Sequence, residues 1–168
     1  FMKTGVITDG ISRDFEHALN VMDEFGLQFA ELQFVWDKEV GLLEDAEVKK
    51  VNKLLDLHQI KVSNICHHIF AGMPMTTKPG EPLHIQHLDR LKRCMEIAHA
   101  VGSPNVRILS PKKEQILFGA HGAEKWNVAK GAWDALLPII APALEIAKDA
   151  GKQLVVETGN GTMVNSSW

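Results

Sequence analysis

Three glycines set the frame for this chain. Gly26, Gly102 and Gly151 each follow a stretch of helical apolar periodicity and stand a few residues before a short run of strand-forming residues. A glycine in that place caps a helix, because it takes the left-handed backbone conformation without penalty. The order strand, long loop, helix, glycine, short turn, strand therefore repeats along the sequence. Such alternation predicts the α/β class, with about five parallel strands joined by right-handed crossovers through helices.

The predicted strands are Thr4–Asp9, Phe29–Phe34, Lys61–His68, Asn105–Ser110 and the run around Leu154-Val155-Val156. Ser12 is the expected N-cap of a first helix that buries Phe15, Ala18, Leu19, Met22 and Phe25. The second helix carries Val48, Val51, Leu55 and His58 on one face, and the third carries Leu88, Leu91, Met95 and Ala98. The fourth runs from about Asn127 to Ala150 through Trp133, Leu136, Ile140, Leu144 and Ala147. Pro138 and Pro142 inside it predict a kink or a restart. Long irregular stretches, Phe70–Pro82 and Pro111–Lys125, follow strands rather than precede them. They gather on the face at the carboxyl ends of the strands, where a site is to be sought.

The 168 residues are read as a single domain. A net charge of -3 argues against a dedicated nucleic-acid surface. Cys66 and Cys94 form no CxxC pair and are expected as reduced, buried thiols. No apolar run approaches the ~20 residues that span a bilayer, and no signal-peptide pattern opens the chain, so a cytoplasmic location is expected.

The clearest functional group is Glu157. It directly follows an apolar run expected to be buried on both faces, and Gly159 then lets the backbone turn away. A carboxylate there needs a strong partner, which places it at the carboxyl end of a strand. His67 and His68 close the third strand. Alternation sends one inward and the other toward the helices, and His67 is favoured as the site residue. Arg107 either clamps an anionic group bidentately or pairs with a neighbouring carboxylate such as Glu31 or Glu157. Lys112, Lys113 and His121 are expected to face solvent, and His58, His84, His87 and His99 show no site spacing.

Four segments taken in succession carry a family resemblance: Met2-Lys3-Thr4-Gly5-Val6, Phe29-Ala30-Glu31-Leu32, Val62-Ser63-Asn64-Ile65-Cys66-His67-His68 and Leu154-Val155-Val156-Glu157-Thr158-Gly159-Asn160. In this order the chain resembles the sugar phosphate isomerase/epimerase family, the xylose-isomerase-like TIM barrels, which also include type IV apurinic endonucleases. The resemblance implies a (β/α)8 barrel and a divalent metal: manganese, cobalt, magnesium or zinc. Glu157 matches the family's first metal ligand, at the end of the fifth strand; the remaining Asp, His and Glu lie on later strands. It further implies proton transfer next to the carbonyl of a small keto-sugar or sugar phosphate, through a metal-stabilised enediolate, with Glu157 as both ligand and acid/base. Trp36 and Phe70, after the second and third strands, would wall a sugar ring or close the barrel mouth.

A TIM barrel has eight strands in ~250 residues. Here five are read, and Asn165-Ser166-Ser167 looks like the start of a helix at which the sequence stops. The chain is therefore expected to be a truncated barrel, its N-terminal part. One alternative is the abasic-site endonuclease branch, against which the fourth strand ends Ile108-Leu109-Ser110-Pro111 without the His that branch needs. Another is an inactive partial barrel that folds by self-association. The first and fifth strands of a part-barrel are open edges, so a homo-oligomer is expected.

Overall fold

A computed structural model describes residues 3–112 and 132–165. In chain order its elements are β1 (Gly5–Ile7), α1 (Phe15–Glu24), β2 (Phe29–Leu32), β3 (Phe34–Val35), β4 (Lys38–Glu39), α2 (Asp45–His58), β5 (Lys61–Cys66), α3 (Pro82–Ala100), β6 (Asn105–Ile108), α4 (Ala132–Asp149) and β7 (Gln153–Val156). The main sheet is five-stranded and wholly parallel, in the order β1-β2-β5-β6-β7. Each strand of this sheet lies beside the one before it, as in a barrel built by successive βα units, and the sheet is not closed. Gly26, Gly102 and Gly151 all take left-handed backbone, with φ of +65°, +70° and +61°, as helix caps require.

One face of the sheet is packed. Leu32, Ile65, Val106 and Ile108 meet Phe15, Leu19 and Met22 of α1, Val51 and Leu55 of α2, Leu91 and Ile97 of α3, and Ala143 of α4. Because side chains alternate along a strand, Arg107, between Val106 and Ile108, must leave by the opposite face. A register shift between Ala30 and Glu31 takes up one extra residue of β5 and turns Glu31 toward Asn64.

Several expectations change in detail. The first helix is capped by Asp14, whose Oδ1 accepts from the His17 amide at 3.1 Å; Ser12 Oγ accepts from the Asp14 amide one turn earlier. Phe25, past the last helical turn, is 75% exposed rather than buried. The second strand ends at Leu32, and a hairpin unforeseen in the sequence follows. Its two-residue turn, Trp36–Asp37, has φ of +48° and +64°, the signature of a type I′ turn but without the usual glycine. The helix α4 runs unbroken through Pro138 and Pro142. Each proline removes one backbone donor, and the carbonyls so orphaned belong to Asp134 and Pro138, both exposed to water. It buries Leu136, Ile139, Ala143 and Ala147, while Trp133 and Leu144 are exposed.

The strand β7 is not buried on both faces as expected: Val156 is 43% exposed. It is an edge of the sheet, and among the described residues no strand pairs with its outer side. Lys113, Gly119, His121, Gly122, the helix start expected at Asn127 and the Ser166-Ser167 part of the helix start expected at Asn165 lie outside the described residues. No helix among the described residues is long and apolar enough to cross a membrane.

Candidate functional site

Glu157 stands one residue beyond the end of β7, its amide still bonded to the Ile108 carbonyl at 3.0 Å, so the strand pairing fixes its backbone. Its side chain is 50% exposed, and Arg107 Nη1 donates to its Oε2. The Arg107 side chain is only 7% exposed. Its Nε and Nη2 are buried without a hydrogen-bond partner. A guanidinium held out of water with unused donors is costly, so a single half-exposed carboxylate leaves it under-satisfied. Cys66 is the register partner of Arg107 on the neighbouring strand, and its Sγ donates to Glu31 Oε2 at 3.4 Å. Burial first, with Glu31 adding, pushes the Cys66 thiol up to about 12 against the opposing pull of Arg107. The thiol is thus neutral and no nucleophile at neutral pH.

The two histidines after β5 separate as alternation requires, but in the opposite sense to that expected. His67 is the buried one, its side chain 8% exposed. Its ring lies against α3: a Cβ added to Gly41 would meet His67 Nδ1, Arg90 Cδ and Cys94 Sγ together. Burial, with Arg90 adding, pushes its pKa down to about 4, against the pull of Glu39. The His67 Nδ1 lies 3.3 Å from Glu39 Oε1, so both histidines meet the same carboxylate oxygen, His67 from the buried side and His68 from the rim. His68 is 41% exposed at the rim. Its backbone amide and its Nδ1 both bond Glu39 Oε1, at 2.8 and 2.5 Å, and its Nε2 lies 3.3 Å from the Gln33 amide nitrogen.

Of the two aromatic residues expected at the mouth, Phe70 lies in the core and Trp36 lies on the helix side, where it lines a surface cleft with Arg13, Glu16 and Lys50. Phe70 is fully buried, stacked on His84 and tilted against His87, with its amide donating to His87 Nδ1. It is a core residue. Trp36, at the hairpin tip, is held by α1 and α2: Nε1 donates to Glu16 Oε2 at 2.6 Å, Phe15 meets its ring edge-on, and Lys50 Nζ sits 4.3 Å from the ring centroid. Its indole is engaged on the helix side rather than with Arg107 or Glu157. Glu39 and Gln33 were invisible as site residues in the sequence, because only the hairpin brings Glu39 back over the end of β5.

Among the described residues no three His, Cys, Asp or Glu side chains converge to hold a metal ion. The rim offers Glu157 as one oxygen donor, and that donor is engaged by a guanidinium. Divalent ions of the hard or borderline type take about four to seven ligands, so the described residues by themselves do not fit one.

A family model for xylose isomerase-like TIM barrels matches residues 19–168. No curated protein matches the chain. Among solved structures, the IOLI protein with a bound zinc atom shares 18% identity, with a TM-score of 0.67, over 98% of this chain and 55% of its own. A D-tagatose 3-epimerase-like protein shares 16%, with a TM-score of 0.67, over 96% of this chain and 55% of its own. A sugar phosphate isomerase/epimerase from Parabacteroides distasonis shares 17%, with a TM-score of 0.56, over 92% and 50%. The chain therefore spans about half the length of these structures. At such identities the likeness concerns the fold, which agrees with the singly wound parallel sheet, the helix-covered face and the polar opposite face. On that fold and on the match over residues 19–168, the chain belongs to the xylose isomerase-like TIM barrel family.

Proposed function

We propose that this chain is part of an isomerase or epimerase that moves a proton next to the carbonyl of a small keto-sugar. The observation that carries the proposal is Glu157: a half-exposed carboxylate at the carboxyl rim of the sheet, oriented by a buried arginine on the adjacent strand. The family membership and the sugar-acting neighbours, a D-tagatose 3-epimerase-like protein and an L-ribulose 3-epimerase among them, support the same chemistry.

In this reading Arg107 holds Glu157 through Oε2, leaving Oε1 to meet the substrate. The carboxylate takes the proton from the carbon beside the carbonyl. The electrons of the broken C–H bond form the enediolate C=C bond, and negative charge passes to the carbonyl oxygen. Returning the proton to the former carbonyl carbon, while the adjacent hydroxyl passes its own proton to the oxyanion, gives an isomer; returning it to the other face of the same carbon, by a second group, gives an epimer. The burial of Arg107 keeps water from its side of the carboxylate, so the geometry of the base is set before substrate arrives. The proposal includes a divalent metal in the whole protein, with Glu157 as one ligand and the other donors outside the described residues. A neighbour that holds zinc supports this. It also includes a cytoplasmic location and self-association into a homo-oligomer.

The test is chromatographic. The protein is incubated with D-fructose, D-tagatose, D-allulose and L-ribulose, with and without added Mn, Co, Mg or Zn, and products are resolved from substrates. Conversion of at least one sugar, lost in Glu157→Gln, is expected. No conversion of any of them or of their phosphates, under every metal condition, would remove the proposal.

A further inference from the structure

The pair His68–Gln33 lies outside the chemistry assigned to Glu157, and its hydrogen bonds point to a use. Glu39 as a carboxylate can only accept, so His68 Nδ1 must carry the proton that bonds it at 2.5 Å. In the neutral ring this leaves Nε2 as a lone pair, to which the Gln33 amide donates at 3.3 Å, the longest bond of the group. The less common imidazole tautomer is thus fixed by a hairpin residue, the arrangement proteins use to present one ring nitrogen in a defined direction. The Phe34 ring, 6.2 Å centroid to centroid, closes one side of the imidazole. Arg13 covers Phe34 in turn but is paired with Asp37, so the charge directly on His68 is that of Glu39. His68 is partly exposed at the rim, as is Glu157, and only β6 separates β5 from β7. Two strand spacings place those rim positions about 10 Å apart, a span that an extended five- or six-carbon chain fills.

We infer that Gln33 and His68, held by Glu39, form a subsite for an uncharged hydroxyl or carbonyl oxygen at the end of the sugar remote from Glu157. The inference rests on the isomerase reading and adds the second point of attachment that reading lacks. A hydroxyl entering the subsite donates to His68 Nε2 and accepts from the Gln33 amide, replacing the long Gln33–His68 bond with two shorter ones. A carbonyl oxygen accepts from Gln33 alone. A carboxylate or phosphate is disfavoured by Glu39.

The experiment is long-range ¹H–¹⁵N spectroscopy of the histidine rings in the whole protein, with D-fructose, D-allulose, D-tagatose and L-ribulose added in turn. Turnover is measured on the same samples. The free protein should show His68 protonated at Nδ1, and Glu39→Gln should shift it toward the Nε2-protonated form. At least one sugar should move the His68 Nε2 resonance saturably. That movement should persist in Glu157→Gln and require about tenfold more sugar in Gln33→Ala, the loss expected for one neutral hydrogen bond. In steady state the Gln33→Ala effect should fall mainly on KM. An Nε2-protonated His68 in the free protein, or a resonance unmoved by all four sugars, overturns the subsite whether or not turnover occurs. A saturable shift with no turnover of any sugar keeps the subsite and removes the isomerase reading.

Discussion

Replacing Arg107 by methionine separates a residue kept for function from one kept for stability. The side chain is 7% exposed, and its Nε and Nη2 have no partner. Each buried, unsatisfied donor costs roughly 1–3 kcal/mol. The ion pair set against this is shared with a carboxylate that is 50% exposed. Solvent screening reduces such a pair to about 0–1 kcal/mol. Methionine fills a similar volume with no polar atom to satisfy. Arg107→Met should therefore stabilise the fold by about 1 kcal/mol or more, raising Tm by about 2–4 °C in a chain of this size, while sugar conversion falls. Glu157→Gln should do the reverse to stability, since it leaves the buried guanidinium without its counter-charge: a loss of about 1 kcal/mol after discounting for exposure. Scanning calorimetry of the two variants and their combination gives the signs directly. A drop in Tm for Arg107→Met would refute the reasoning, because it would mean that the two donors have acceptors outside the described residues.

Other expectations can be checked by denaturation and labelling. Asp14→Ala should cost about 1 kcal/mol as the loss of a helix N-cap, and Ser12→Ala much less, since only Asp14 accepts from a helical amide. Gly41→Ala places a methyl 2.9 Å from both Arg90 Cδ and Cys94 Sγ; overpacking of this kind should cost about 1–3 kcal/mol in urea melts. The His67 pKa is depressed to about 4 in the folded chain, below the unfolded value near 6.5. The unfolded state then binds more protons between those values, so stability should be full above pH 6.5 and fall as the pH drops toward 4, by as much as ~3 kcal/mol. His67→Gln should flatten that slope, and an unchanged slope would exclude His67 as its source. Cys66 and Cys94, both buried with thiols pushed up to about 12, should resist iodoacetamide until the protein is unfolded.

The fold was legible because its signals are local and repeated. Helix periodicity, a glycine at φ near +65° after three of the helices, and β-branched runs all report on residues close in sequence. What escaped was non-local or exceptional. The hairpin was hidden because Trp36 and Asp37 occupy left-handed positions normally advertised by Asn-Gly or Asp-Gly. The prolines of α4 read as breakers, but exposure of the orphaned carbonyls leaves the helix intact. The pairing of Arg107 with Glu157 was one of the stated options, since both follow from strand ends that the sheet makes neighbours. The assignment of His67 rather than His68 turned on which way alternation points after a strand, and sequence gives the period but not the phase. Phe70 and Trp36 show the same limit: an aromatic after a strand is visible in the sequence, but its partner, the core for one and α1 for the other, is not.

The central claim, that Glu157 is the base that moves a proton beside a sugar carbonyl, is tested most directly by solvent exchange. The protein is incubated in D2O with a ketose that it converts, and deuterium at the carbons flanking the carbonyl is followed by NMR. The account predicts incorporation at one of those carbons in the wild-type protein and none above background in a folded Glu157→Gln variant. Exchange that continues undiminished in that variant would contradict it.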